Sequence, residues 1–196
     1  ARSRKEGVVV GKQDLSYARI RGRKLGQHLA QTMPKARILF VVPPAPKGSY
    51  AEALLAGLRP ALNRELAGGN VVTLTPPKDA KDDAWFTGKL LNEQTAKFEG
   101  KVDLVITGMG LPRQDLGALW FWQKGVKVAL ASGDVSRLQR AIMAKLVIAA
   151  TAPNPDVIPD DWQPPKELDT AFAKRYVLIT PGNVEALGAK HPKLFR

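Results

Sequence analysis

The sequence of 196 residues contains no cysteine, which excludes disulfides, thiolate metal sites and a cysteine nucleophile. Its two histidines, His28 and His191, stand near opposite ends of the chain, so neither a Ser/His/Asp triad nor a histidine metal centre has support. No apolar run approaches the roughly 20 residues that a membrane-spanning helix needs. Gly108-Met109-Gly110 begins like a dinucleotide fingerprint, but Arg113 occupies the place of the third glycine, and the motif falls in the third strand-to-helix turn rather than the first. Pro46-Lys47-Gly48-Ser49 has the wrong order for a phosphate loop; Lys47 and the helix start after it remain a candidate anion site. No catalytic residue, metal or cofactor is expected.

What is abundant is positive charge, and it is unevenly placed. The net charge is +12. Residues 1–37 hold ten basic groups against two acidic ones, a net of +8, while the other 159 residues carry 20 against 16. The excess therefore belongs to an N-terminal arm, a character shared by segments that sit on anionic surfaces and by nucleic-acid arms. The sequence starts at Ala1-Arg2-Ser3 without methionine, which suggests a removed signal, anchor or tag upstream.

Alternation of apolar runs and amphipathic stretches organises the rest. Ala18, Gly22, Leu25, Gly26, Leu29 and Met33 recur at helical steps within a helix expected over 14–32. Strands are expected to start near residues 38, 70, 102, 126, 146 and 176, separated by helices over 49–66, 79–99, 111–123, 136–145 and 167–174, with a last one from Asn183. Ser49 and Glu52 have capping-box spacing. The pattern predicts a three-layer α/β/α sandwich with a mostly parallel, Rossmann-like or flavodoxin-like sheet of five to six strands. It divides into a basic arm and helix over 1–34 and one sandwich domain over 35–196. Leu119-Trp120-Phe121-Trp122 places consecutive large residues about 100° apart on a helix, which turns Phe121 or Trp122 toward an interface.

In such a sheet, ligands bind beyond the carboxyl ends of strands, where strand order reverses. Small and polar residues end each strand and are expected on one edge, which makes Ser49, Tyr50, Thr107, Gln114, Asp115, Ser132, Asp134 and Asn183 the candidate ligand contacts. The stretches ILFVVPPAPKGSYAEALLAGLRPAL and VDLVITGMGLPRQDLGALWFWQKGVKVALASGD resemble the first lobe of type I periplasmic sugar-binding proteins and their LacI-like relatives. That resemblance covers about residues 36–135 and implies that Tyr50 and Asp134 face sugar hydroxyls. The residues after 135 suffice to complete one lobe, so it implies a site that a partner or dimer mate would close.

The leading expectation is a non-catalytic small-molecule-binding or sensing domain with a sugar-like ligand. It would be the soluble part of an extracytoplasmic protein anchored in a membrane upstream of Ala1, with the arm near that membrane and a protein partner or homodimer, and with nucleic acid not expected. A structural subunit of a membrane-associated assembly is one alternative. A Rossmann-like cytoplasmic enzyme acting on a nucleotide or sugar phosphate is another.

Overall fold

A computed structural model describes residues 11–62, 69–80, 82–158 and 163–195. The element order is α1 (Lys12–Thr32), β1 (Ile38–Val42), α2 (Tyr50–Ala61), β2 (Asn70–Thr73), α3 (Gly88–Thr95), β3 (Leu104–Thr107), α4 (Trp120–Gln123), β4 (Lys127–Leu130), α5 (Gln139–Met143), β5 (Val147–Pro153), α6 (Leu168–Ala173), β6 (Tyr176–Ile179) and α7 (Val184–Lys190). All six strands join one sheet in the order β2-β1-β3-β4-β5-β6. Every pairing is parallel except the last, where β6 runs antiparallel to β5.

The sheet is covered on both faces, as the uninterrupted apolar strands require. Ile38, Phe40 and Val42 point to the layer built by α1 and α2, together with Leu25, Leu29, Leu54 and Leu58. Leu39 and Val41 point the other way, into a cluster with Leu91, Trp120, Phe121, Ile142 and Val184. The basic N-terminal segment is represented by α1, which packs directly on α2; residues 1–10 lie outside the described residues. Three glycines make that seam. A Cβ placed on Gly22 would lie 2.1 Å from the Leu54 carbonyl oxygen, and one on Gly57 would lie 2.0 Å from that of Arg19. Gly26 meets Leu58 in the same way.

Two expected helices are corrected. The stretch over 79–99 breaks into a 3₁₀ turn at Asp83–Trp85, the helix α3 and a second turn at Ala96–Phe98. The cause is a pair of caps: Asp82 accepts from the Ala84 N–H and Thr87 from the Leu90 N–H, and Phe86 and Thr87 between them are extended. The crossover over 111–123 is helical only at Trp120–Gln123, after a 3₁₀ turn at Leu116–Ala118. Here Gln114 pairs with Thr87 in an isolated parallel bridge, and Asp115 takes a left-handed conformation at φ 57°. Backbone pairing with a distant segment thus overrides the local apolar pattern. The helix over 49–66 ends at Ala61, one residue after Pro60, and residues 63–68 lie outside the described residues.

Candidate functional site

Strand order reverses between β1 and β3, which both neighbour each other and send their connections to opposite sides. At the carboxyl ends of those strands lies a cleft of about 280 Å³. Pro43 after β1 and Pro76 after β2 form one end of it, and Met109 and Leu111 after β3 form the floor. Gly133 and Asp134 after β4 form the other end. Trp85 and Phe86 supply an aromatic wall, with ring centroids 5.7 Å apart and planes tilted by 39°. The caps at Asp82 and Thr87 bracket them, and both rings pack against the core beneath the cleft. Phe86 is buried and anchors the wall, while Trp85 is half-exposed.

The polar groups of the cleft are Asp83, Arg113 and Asp134. Arg113 Nη2 lies 3.3 Å from Asp134 Oδ2, and Asp134 Oδ1 accepts from the Ser136 N–H at 2.9 Å. Partial burial works against the charge of Asp134. The Ser136 N–H and hydroxyl, with Arg113 and Arg137, outweigh it and hold the carboxyl below its usual value. Asp134 is therefore an ionised acceptor at neutral pH, with an arginine beside it as donor. Aromatic wall, fixed carboxylate and guanidinium together can hold a small ligand that has an apolar face and several hydroxyls.

The loops after β3 and β4 touch each other. Gly110 and Gly133 have φ of 81° and 116°, and a Cβ on Gly133 would lie 2.3 Å from Gly110 Cα. Thr107 fixes the first of these loops: it is buried, its hydroxyl donates to the Gly110 carbonyl at 2.7 Å and accepts from the Met109 N–H.

Of the eight ligand contacts expected from the sequence, Asp134 lines this cleft and Thr107 shapes it from beneath. Ser132 precedes the pair Gly133-Asp134 and is half-buried. Gln114 and Asp115 brace the start of α3, where the Gln114 carbonyl accepts from the Gly88 N–H. Ser49 caps α2 by accepting from the Glu52 N–H, and the Glu52 carboxylate takes the Gly48 N–H. That helix start already holds a carboxylate of its own, and Lys47 beside it is exposed. Tyr50 turns to the α1 side, where its hydroxyl accepts from Arg21 Nη1 at 3.0 Å and lies 3.2 Å from the Tyr176 hydroxyl. Asn183 is corrected most plainly. Because β6 is antiparallel, the turn after it lies at the amino edge of the sheet, and the Asn183 side chain bonds Thr180 N and Leu178 O. Of the two residues expected at an interface, Phe121 is fully buried within the chain, while half-buried Trp122 donates its indole N–H to the Leu116 carbonyl at 2.7 Å.

Sequence reasoning missed Asp83, Trp85, Phe86 and Arg113. The signal present was two capping residues, Asp82 and Thr87, five positions apart inside one supposed helix.

A larger trench of about 690 Å³ adjoins the cleft across Gly133 and Asp134, at the ends of β4 and β5. Its walls are mainly apolar, Lys190 and His191 reach Asp156, and Lys193 also lines it. The smaller cleft is the stronger candidate because it stands at the reversal of strand order and combines the aromatic wall with Asp83, Arg113 and Asp134. No group of three or more metal-ligating side chains occurs among the described residues.

No family model and no curated protein matches the chain. Solved structures do. The sugar ABC transporter (sugar-binding protein) from Bacillus halodurans is similar over 86% of this chain and 64% of its own, at 9% identity and a TM-score of 0.55. The substrate-binding protein of a sugar ABC transport system from Bordetella parapertussis 12822 matches over 90% and 58%, at 16% identity and 0.56. A carbohydrate transporter from Acidothermus cellulolyticus 11B, solved in complex with myo-inositol, matches over 91% and 62%, at 15% identity and 0.53. The chain has a periplasmic-binding-protein fold. It spans about three fifths of the length of these proteins. The resemblance read from β1 to β4 therefore holds for the binding-protein architecture, and among the described residues no helix is long and apolar enough to cross a membrane.

Proposed function

We propose that this chain is a non-catalytic binding lobe that takes a small, neutral, polyhydroxylated ligand, a sugar or cyclic polyol, in the cleft between Trp85 and Asp134. The observation that carries the reading is the coincidence of an aromatic wall with an ionised carboxylate–guanidinium pair at the reversal of strand order. The apolar face of the ligand stacks on Trp85. Its hydroxyls donate to Asp134 and Asp83 and accept from Arg113. Two carboxylates against one guanidinium select against anionic ligands such as sugar phosphates. The chain spans about three fifths of the similar binding proteins, so a second lobe or partner would complete the enclosure, and an extracytoplasmic, membrane-tethered protein is the setting in which we place the lobe.

Isothermal titration with myo-inositol, galactose, arabinose and glucose 6-phosphate tests this. Expected is binding of at least one neutral compound, weakened by about tenfold or more in Trp85→Ala, the scale of a central aromatic anchor. Asp134→Asn should weaken it similarly. Saturable binding that survives both substitutions would move the ligand elsewhere, and preference for the phosphate would overturn the charge argument.

A further inference from the structure

Among the described residues, basic side chains predominate on the outer surface of the α1–α2 layer. Lys12, Arg19 and Arg23 are spaced by seven and four residues, so they fall on one stripe of α1 about 16 Å long, and all three are exposed. The stripe borders a groove of about 600 Å³ between the two helices, lined by Arg19, Arg23 and Gln27 on one side and Ala56 and Pro60 on the other. Among the described residues none of these three cations has an ion-pair partner. The acids of the same layer are spent elsewhere: Asp14 on Arg175, Asp169 on Lys24, Glu52 on the Gly48 N–H.

The geometry points to this ridge as a docking face for an anionic lipid bilayer. Charge complementarity is the first argument, since three cations in line on one helix, without ion-pair partners among the described residues, match a sheet of phosphate headgroups. The second is what lies between them. Half-buried Ile20 and exposed Ala56 and Pro60 interleave the arginines with apolar surface suited to the headgroup boundary. Described residues of the groove include no aromatic ring for base stacking, which disfavours single-stranded nucleic acid as the occupant. Orientation agrees: the ridge faces away from the sheet plane, whereas the cleft opens at the strand ends, so both can be occupied together. The inference is independent of the ligand reading.

Co-sedimentation of the full chain with phosphatidylcholine vesicles, with and without phosphatidylglycerol, tests it. Expected is binding to the anionic vesicles alone, falling as salt is raised. A basic residue near such a surface contributes a factor of about five in partitioning, so Arg19→Gln/Arg23→Gln should lose about 25-fold. Lys89→Gln/Lys97→Gln removes the same charge from the opposite helical layer, where both lysines are exposed, and should leave binding close to wild type. Equal losses in both double variants would reduce the effect to net charge and overturn the proposal, as would no retention on anionic vesicles. Tighter retention on duplex DNA at equal salt, abolished by the arginine double variant, would reassign the ridge to nucleic acid.

Discussion

Gly57→Ala puts a methyl group where the structure leaves 2.0 Å to the Arg19 carbonyl oxygen, against the 3.4 Å at which ordinary contact begins. The methyl position is fixed by the α2 backbone and the atom it meets is backbone, so no rotamer change relieves the contact and the axes of α1 and α2 must part by about an ångström. Parting them loosens the packing of Leu25, Leu29, Leu54 and Leu58, all fully or almost fully buried between the helices and the sheet. Overpacking of this kind costs about 1–3 kcal/mol and sometimes more, while the better helix propensity of alanine returns about 1 kcal/mol. With a rigid backbone clash, the upper part of the range applies and the net loss is about 2 kcal/mol. For a chain of this length that corresponds to a fall in Tm of about 4–8 °C. Guanidinium unfolding followed by far-ultraviolet circular dichroism should show a lower midpoint at unchanged slope. Gly117→Ala is the control, because nothing lies within 4 Å of its Cβ position, and it should stay within about 0.5 kcal/mol of wild type. Gly22→Ala should behave like Gly57→Ala, and the double variant should lose less than the sum, since the first methyl already separates the helices. A Gly57→Ala protein as stable as wild type would refute the close-packed seam.

Thr151→Val removes the hydroxyl that accepts from buried Arg21 Nε at 2.7 Å and donates to the Ala131 carbonyl; leaving a buried guanidinium donor unsatisfied should cost about 2–3 kcal/mol in the same unfolding assay. Asp103 accepts side-chain hydrogen bonds from Arg37, which hold its carboxyl below the usual value. A depressed folded-state value means that this contribution is fully present above the ordinary carboxylate range and is lost as pH falls through the lowered value. Asp103→Asn should therefore flatten the acid limb of a stability–pH profile, and an unchanged limb would show that the pair contributes nothing there.

Architecture was legible where burial acts on both faces. The runs at 38–42, 104–106 and 128–130 are apolar because both sides of the sheet are covered, so their positions follow from hydropathy alone. The direction of β6 was not legible: Tyr176–Ile179 would read the same in either direction, and only packing against β5 decides it. That one reversal removed Asn183 from the ligand edge. The helices over 79–99 and 111–123 failed because each carries apolar spacing but is interrupted by pairing between Thr87 and Gln114, residues with no local relation. Within the site, Asp134 follows from its place after a buried strand. Tyr50 has the same kind of position, yet Arg21, 29 residues away, takes its hydroxyl to the other face.

The contact of Gly110 with Gly133 bears on how this cleft could be altered. Two connections meeting at glycine Cα atoms form a keystone: lengthening either one displaces the other, and neither can take a larger residue at the junction. Among the described residues no such junction pins 76–80 or 82–85, so a redesign for a different ligand has most room there, short of buried Phe86. Insertions belong there, and changes of chemistry at the opposite wall should be confined to the side chains of Arg113 and Asp134.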